Sequence, residues 1–73
     1  MFSLGERLVE LRKEKGMLQK AIAQKVGVSV RIYQKYEKGE GEPTVSKAAR
    51  IADLFDVSID YLMGRTEKRE VNK

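Results

Sequence analysis

Residues 18–39 read LQKAIAQKVGVSVRIYQKYEKG, and this stretch decides the fold. Apolar residues at helical spacing predict a short helix over 18–26. Its predicted core residues are Ile22, Ala23 and Val26. A sharp turn follows, because Gly27 accepts a left-handed backbone and Ser29 can cap the next helix. That helix is predicted over 30–38, so the stretch consists of two helices joined by a glycine turn.

The segment before this unit predicts one more helix. Ser3 and Glu6 have the spacing of a capping box, and Gly16 is a typical helix stop. The predicted inner stripe is Leu4, Leu8 and Leu11. The residues predicted to face outward are Glu6, Arg7, Glu10 and Lys13. The chain therefore enters the two-helix unit from an amphipathic helix.

Two further helices are predicted after residue 39. Residues 39–44 form a loop by composition, and Thr44 or Ser46 caps a fourth helix. The residues predicted to be buried on it are Val45, Ala48, Ile51, Ala52 and Phe55. Ser58 caps a last short helix that ends at Gly64. The chain is thus predicted to be an all-α, five-helix domain over 1–64, with a polar, flexible tail over 65–73.

Length and composition exclude several classes of protein. The 73 residues suffice for one small domain, and they include neither Cys nor His. Thiol nucleophiles and Cys/His zinc sites are therefore excluded, and we expect no enzymatic activity, cofactor or metal. Without an apolar run of ~20 residues, the chain is expected to be soluble and cytoplasmic, with no membrane contact.

Charge is distributed unevenly along the chain. Residues 12–38 carry eight basic and two acidic side chains, a balance of +6. Residues 39–62 carry two basic and five acidic ones, a balance of −3. The two-helix unit therefore coincides with a cationic segment that favours an anionic partner such as nucleic acid.

The same stretch resembles a known family. Residues 16–29, continued by Tyr36-Glu37-Lys38-Gly39 and by Val57-Ser58-Ile59-Asp60-Tyr61-Leu62-Met63-Gly64, are similar to the Cro/repressor-type helix-turn-helix proteins with a lambda-repressor-like domain. The resemblance covers about residues 4–64. It implies transcriptional regulation, most often repression, by binding double-stranded operator DNA as a homodimer on a two-fold-symmetric site.

The resemblance also implies roles for individual residues. Base-contacting positions are Val30, Arg31, Gln34 and Lys35. Phosphate-contacting positions are Gln19, Lys20 and Lys38. Arg12 and Glu37 match a structural ion pair that joins the first helix to the third. Arg and Lys suit guanine, and Val suits thymine methyls, whereas Gln34 could pair with adenine or hold a phosphate.

The sequence departs from the family at three places. Leu18 stands where Ser or Thr usually caps the second helix, and Tyr33 replaces a small aliphatic residue. Glu40 and Glu42 bring negative charge to a loop that often carries Lys, Asn or Arg. We expect Tyr33 and Tyr36 to lie in the core rather than to stack on bases.

Several alternatives stay open from the sequence. Val30 either projects outward or packs on the second helix. Ile59, Tyr61, Leu62 and Met63 either close the core or form a dimer patch. A protein-interaction module on the same fold is the competing function, and an antitoxin or restriction-controller role is a variant of DNA binding. No small-molecule ligand is expected, because little chain remains to form a sensor.

Overall fold

A computed structural model of the chain describes residues 3–69, which fold into five α-helices with no strand in that range. The helices are α1 (Leu4–Lys15), α2 (Gln19–Val26), α3 (Val30–Lys38), α4 (Val45–Phe55) and α5 (Ile59–Leu62). No helix within residues 3–69 is long and apolar enough to cross a membrane. The predicted all-α, five-helix architecture is confirmed.

Four of the five helices begin with a hydroxyl cap. The side chains of Ser3, Ser29, Thr44 and Ser58 each accept a hydrogen bond from the backbone amide three residues ahead. Ser3 and Glu6 complete the predicted capping box. Thr44, rather than Ser46, caps α4. Leu18 precedes α2 and provides no side-chain cap, as predicted.

The core lies where α3 packs against both α1 and α2, and α4 and α5 close it. Tyr33 and Tyr36 are buried with their rings edge to face and 6.3 Å between centroids, so the prediction that both belong to the core is confirmed. The other core residues are Leu8, Leu11, Ile22, Ala23, Val26, Ile51, Ala52, Phe55, Val57, Tyr61 and Leu62.

Three predictions about side-chain burial need correction or refinement. Arg7 does not face outward: it is 2% exposed, and its guanidinium lies 3.9 Å from the centroid of the Tyr61 ring. The long apolar stem and the cation–π contact explain how a charged residue is accommodated there. Val45 is not buried either, being 82% exposed at the first position of α4. Tyr61 and Leu62 close the core, whereas Ile59 is 41% exposed.

Residues 65–69, predicted as part of a flexible tail, fold back onto α1 and α5. Arg69 contacts Glu14 through two hydrogen bonds of 2.6 and 2.8 Å and donates to the Tyr61 hydroxyl at 3.1 Å. The Ser58 amide donates to the Arg69 carbonyl oxygen at 2.8 Å. The polar composition predicts a flexible segment, whereas ionic and backbone hydrogen bonds hold residues 65–69 against the helices. Residues 70–73 lie outside the described range, and the domain boundary at residue 64 stays a prediction.

Candidate nucleic-acid interface

The turn between α2 and α3 is formed by three residues. Gly27 has φ 87° and ψ 33°, and its amide and that of Val28 both donate to the Ala23 carbonyl oxygen, at 2.9 and 3.0 Å. Ser29 then accepts from the Ile32 amide at 3.1 Å and starts α3. Because a left-handed residue is followed at once by a helix cap, only three residues separate the two helices.

Two cations from α4 lie against this turn. Lys47 Nζ is 3.4 Å from the Gly27 carbonyl oxygen, and Arg50 Nη1 is 3.4 Å from that of Val26. They oppose the negative end of the α2 dipole and hydrogen-bond its last carbonyl groups. A Cβ on Gly27 would lie 3.2 Å from the flexible ends of both side chains, which can shift, so the left-handed φ is what favours glycine. Sequence reasoning assigned these two residues no role, although they are the two cations of the acidic segment 39–62.

The outer face of α3 combines cationic and aliphatic side chains. Arg31 and Lys35 are exposed, and neither forms an ion pair with any residue of 3–69. Val30 and Ile32 are each 39% exposed at the amino end of the helix. Val30 also lines a groove of about 380 Å³ together with residues of α2, and its side chain is accessible there. The remaining residues of the groove are Lys20, Ala23, Gln24 and Val28.

A chain of four polar side chains runs beneath this face. Arg12 Nε and Nη2 donate to the Glu37 carboxylate at 2.6 and 3.2 Å. Gln19 Nε2 donates to the same carboxylate at 2.9 Å, and Gln34 Nε2 donates to Gln19 Oε1 at 3.1 Å. These hydrogen bonds join α1, α3 and α2. They bring together four residues for which the sequence predicts three different roles: an ion pair, a phosphate contact and a base contact.

The carboxylate at the centre of this chain is held in its ionised form. Burial pushes the pKa of Glu37 up, but interactions with Arg12, Tyr33 and Gln19 outweigh that effect, and the net pKa lies below its ordinary value of 4.5. The hydrogen bond to Glu37 likewise raises the pKa of Arg12. Burial first, and then the nearby Glu37, raise the pKa of Tyr33, whose hydroxyl faces the carboxylate without regular hydrogen-bond geometry.

Two of the three candidate phosphate contacts, Gln19 and Lys20, lie at the amino end of α2. No side chain caps this end, and Leu18 is 74% exposed. Uncapped amide groups and the helix dipole make such an end attractive to anions. Gln19 and Lys20 occupy the first turn, whereas Lys38 is exposed at the far end of α3. The Gln19 side chain is already engaged by Glu37 and Gln34, which leaves one of its amide hydrogens for another acceptor.

Acidic residues do not gather into a site in the described part of the chain. Among residues 3–69, no group of three or more His, Cys, Asp or Glu side chains is placed to hold a metal ion. Glu40 and Glu42 are exposed in the loop after α3, where they place negative charge beside the cationic face.

Two helices joined by a glycine turn, with a cationic face on the second one, define a helix-turn-helix protein. The chain belongs to the Cro/C1-type helix-turn-helix family, whose sequence model matches residues 8–62. The predicted family is thereby confirmed.

Known proteins of similar sequence and structure are transcriptional regulators by name. The chain is 45% identical over 60 residues to the cryptic phage CTXphi transcriptional repressor RstR of Vibrio cholerae, which covers 82% of this chain and 54% of RstR. It is 34% identical over 71 residues to the HTH-type transcriptional regulator ImmR of Bacillus subtilis, covering 97% of this chain and 56% of ImmR. The chain therefore spans about half the length of these relatives.

A solved structure gives the same fold. The P22 c2 repressor protein, in its complex with synthetic operator 9T, superposes with a TM-score of 0.84 at 29% identity, over 90% of this chain and all of that chain. The shared fold, together with the family match, assigns α2 and α3 as the helix-turn-helix.

Proposed function

We propose that this chain is the DNA-binding part of a bacterial or phage transcriptional regulator, most simply a repressor, that binds specific double-stranded DNA in the cytoplasm. The observation that carries the proposal is the exposed cationic and aliphatic face of α3 on a helix-turn-helix unit. A helix of this kind fits the ~12 Å major groove when its amino end leads. The likeness to a repressor in complex with its operator supports the same reading.

Four side chains of α3, from its amino end to its last turn, are proposed to contact bases. Arg31 and Lys35 can donate to guanine O6 and N7, and Val30 can contact thymine methyl groups. Gln34 is also assigned to base contact, because its side-chain oxygen makes no hydrogen bond with residues 3–69. Arg31 and Lys35 are exposed and have no ion partner among the described residues, which supports their proposed contact with bases.

The phosphate contacts are proposed to come from both ends of the unit. Gln19 and Lys20 lie at the uncapped start of α2, and Lys38 lies at the end of α3. Contacts of this kind orient a protein on DNA without reading sequence, and they make affinity fall with salt.

A homodimer on a two-fold-symmetric operator is part of the proposal. One copy of α3 reaches few base pairs, so two copies with half-sites about one helical turn apart would double the sequence that is read. Symmetry in the selected duplexes, with half-sites at that spacing, would report the dimer directly.

The test is selection of bound sequences from a random duplex pool, followed by binding measurements at several salt concentrations. We expect a preferred short site and a linear fall of log affinity with log salt. The Arg31→Ala/Lys35→Ala variant should lose this binding. The Lys13→Ala/Lys15→Ala variant, which removes the same charge from the exposed end of α1, is the matched control and should retain the preference. Equal loss in both variants, or equal binding to scrambled duplexes, would contradict the proposal and favour a protein-interaction role.

A further inference from the structure

The polar chain beneath α3 has a donor–acceptor direction. Arg12 donates to Glu37, Glu37 accepts from Gln19, and Gln19 accepts from Gln34. The heavy-atom distances along this series are 2.6, 2.9 and 3.1 Å, and its members are partly buried. Each side-chain amide thus has its nitrogen directed toward the carboxylate.

This direction follows from the charge of Glu37. An ionised carboxylate accepts hydrogen bonds and donates none, so the Gln19 amide must turn its NH₂ group toward it. The oxygen of Gln19 then faces Gln34, which must turn its own NH₂ group inward. Reversing either amide would place two oxygens face to face in a partly buried site, leaving a polar group unpaired.

The fixed orientation determines what Gln34 presents outward. One of its amide hydrogens is used by Gln19, so its oxygen and its second hydrogen remain. An acceptor beside a donor matches the N6 and N7 positions of adenine in the major groove. A reversed amide would present two hydrogens instead, which matches the two acceptors of guanine.

We infer that Glu37 is a positioning residue for base selection, which acts through Gln19 to orient the Gln34 amide and so favours adenine over guanine at one base pair. The inference rests on the proposed function. This role is distinct from the Arg12–Glu37 ion pair that joins α1 to α3. Loss of that ion pair alone would change the affinity for all duplexes alike.

The first experiment locates the base pair. Duplexes selected by the parent chain are compared with those selected by Gln34→Ala, and the position at which the variant loses discrimination is the one that Gln34 contacts. The parent is expected to prefer adenine there by at least about fivefold over guanine, the lower limit for a bidentate pair.

The second experiment removes the direction of the chain. Glu37→Gln keeps the shape of the side chain, but its amide oxygen must face the Arg12 donor, which leaves its NH₂ group toward Gln19 and allows the Gln19 amide to reverse. We expect the preference for adenine over guanine at that position then to be lost. The other positions of the site should keep their preferences. Glu40→Gln removes the same charge from an exposed loop residue and should leave the whole pattern unchanged.

Two further variants separate positioning from folding. Gln19→Met removes the hydrogen bonds that link Glu37 to Gln34 but leaves the Arg12–Glu37 ion pair in place. It should lower the discrimination between adenine and guanine at the same base pair. In a Gln34→Ala background, Glu37→Gln should have no additional effect on that preference. Thermal melts of all variants in the absence of DNA show which of them are folded.

The outcomes distinguish the inference from the function on which it rests. A parent chain that selects no preferred duplex would overturn the proposed function and the inference together. A preferred duplex whose adenine preference persists in Glu37→Gln or Gln19→Met would overturn the inference alone, as would Gln34→Ala with an unchanged pattern. Loss of discrimination at one position in both variants would support it.

Discussion

Gly5 lies so close to the backbone of Glu37 that a Cβ on Gly5 would be 2.6 Å from the Glu37 carbonyl oxygen. Helix α1 thus contacts the end of α3 at the level of the backbone. The same helix also reaches the Glu37 side chain through Arg12, with Nε–Oε2 at 2.6 Å. Two independent contacts therefore fix the helix that carries the candidate DNA-binding face.

The first prediction concerns Gly5→Ala. Alanine in an open helix is favoured over glycine by about 1 kcal/mol, but overpacking against a backbone that cannot move costs about 1–3 kcal/mol. We expect the free energy of unfolding to fall, as measured by urea denaturation. Gly41→Ala is the control, because its Cβ would meet Lys35 Cβ at an ordinary 3.8 Å. Equal stability of the two variants would show that α1 and α3 can separate without cost.

The second prediction concerns the buried Arg7. Its guanidinium lies over Tyr61 and 3.4 Å from Glu67 Oε1, with its stem in the core. Arg7→Ala is expected to lower the free energy of unfolding by about 2–4 kcal/mol, as for loss of a large buried side chain. Lys13→Ala, on the exposed side of the same helix, should change it by less than about 0.5 kcal/mol. A loss that small for Arg7→Ala would contradict the burial described here.

The third prediction is a pH dependence of stability. The pKa of Glu37 in the folded chain lies below 4.5, so its contribution is present above that pH and is lost as the pH falls through the lower folded value. Stability should therefore decline on acidification below about pH 4.5. The decline should be smaller in Glu37→Gln, in urea titrations from pH 7 to pH 3. If the free energy of unfolding fell equally with pH in parent and variant, Glu37 would not contribute to the pH dependence of stability.

The fourth prediction concerns the missing cap at α2. Leu18 is largely exposed, so its removal gives up little buried area. Leu18→Ser supplies a hydroxyl to the first-turn amides and should raise the free energy of unfolding by about 1 kcal/mol relative to Leu18→Ala. Thermal melts of the two variants measure the difference. No gain from serine would indicate that those amides are already satisfied.

The fifth prediction concerns the contact of Arg69 with α1. Hydrogen bonding to Arg69 holds the pKa of Glu14 below its ordinary value, although both side chains are accessible to solvent. Arg69→Gln is expected to release the segment and to speed hydrogen exchange at the Ser58 amide, which bonds to the Arg69 carbonyl oxygen. Lys68→Gln removes an equal charge without this contact. Unchanged exchange in Arg69→Gln would show that the backbone bond suffices.

Local signals made most of the fold predictable. The hydroxyl caps, the glycine stops and the apolar spacing in 18–38 each depend on neighbouring residues, so the pattern of five helices follows from the sequence. The burial of Tyr33 and Tyr36 follows from their shared helix face. Arg12 and Glu37 lie together as the family resemblance implied.

Features that depend on distant residues were not predictable. Arg7 reads as a surface residue until Tyr61, more than fifty positions away, supplies the ring beneath it. Val45 is the opposite case, because it is predicted to be buried and is exposed. It is the first residue of α4 and precedes the residues of that helix that pack in the core. The family resemblance implies a base contact for Gln34, but not the hydrogen bond that its amide donates to Gln19 on another helix. Such pairings become visible after the helices are placed.

The return of residues 65–69 to α1 affects whatever is joined to the chain beyond them. Five residues of extended chain would reach roughly 17 Å from the domain. Here the same five residues lie along the domain surface instead. A fluorophore or fusion partner attached after Arg69 would be anchored on the domain surface beside Glu14. The volume that it can reach is smaller than it would be if residues 65–69 extended freely from Gly64.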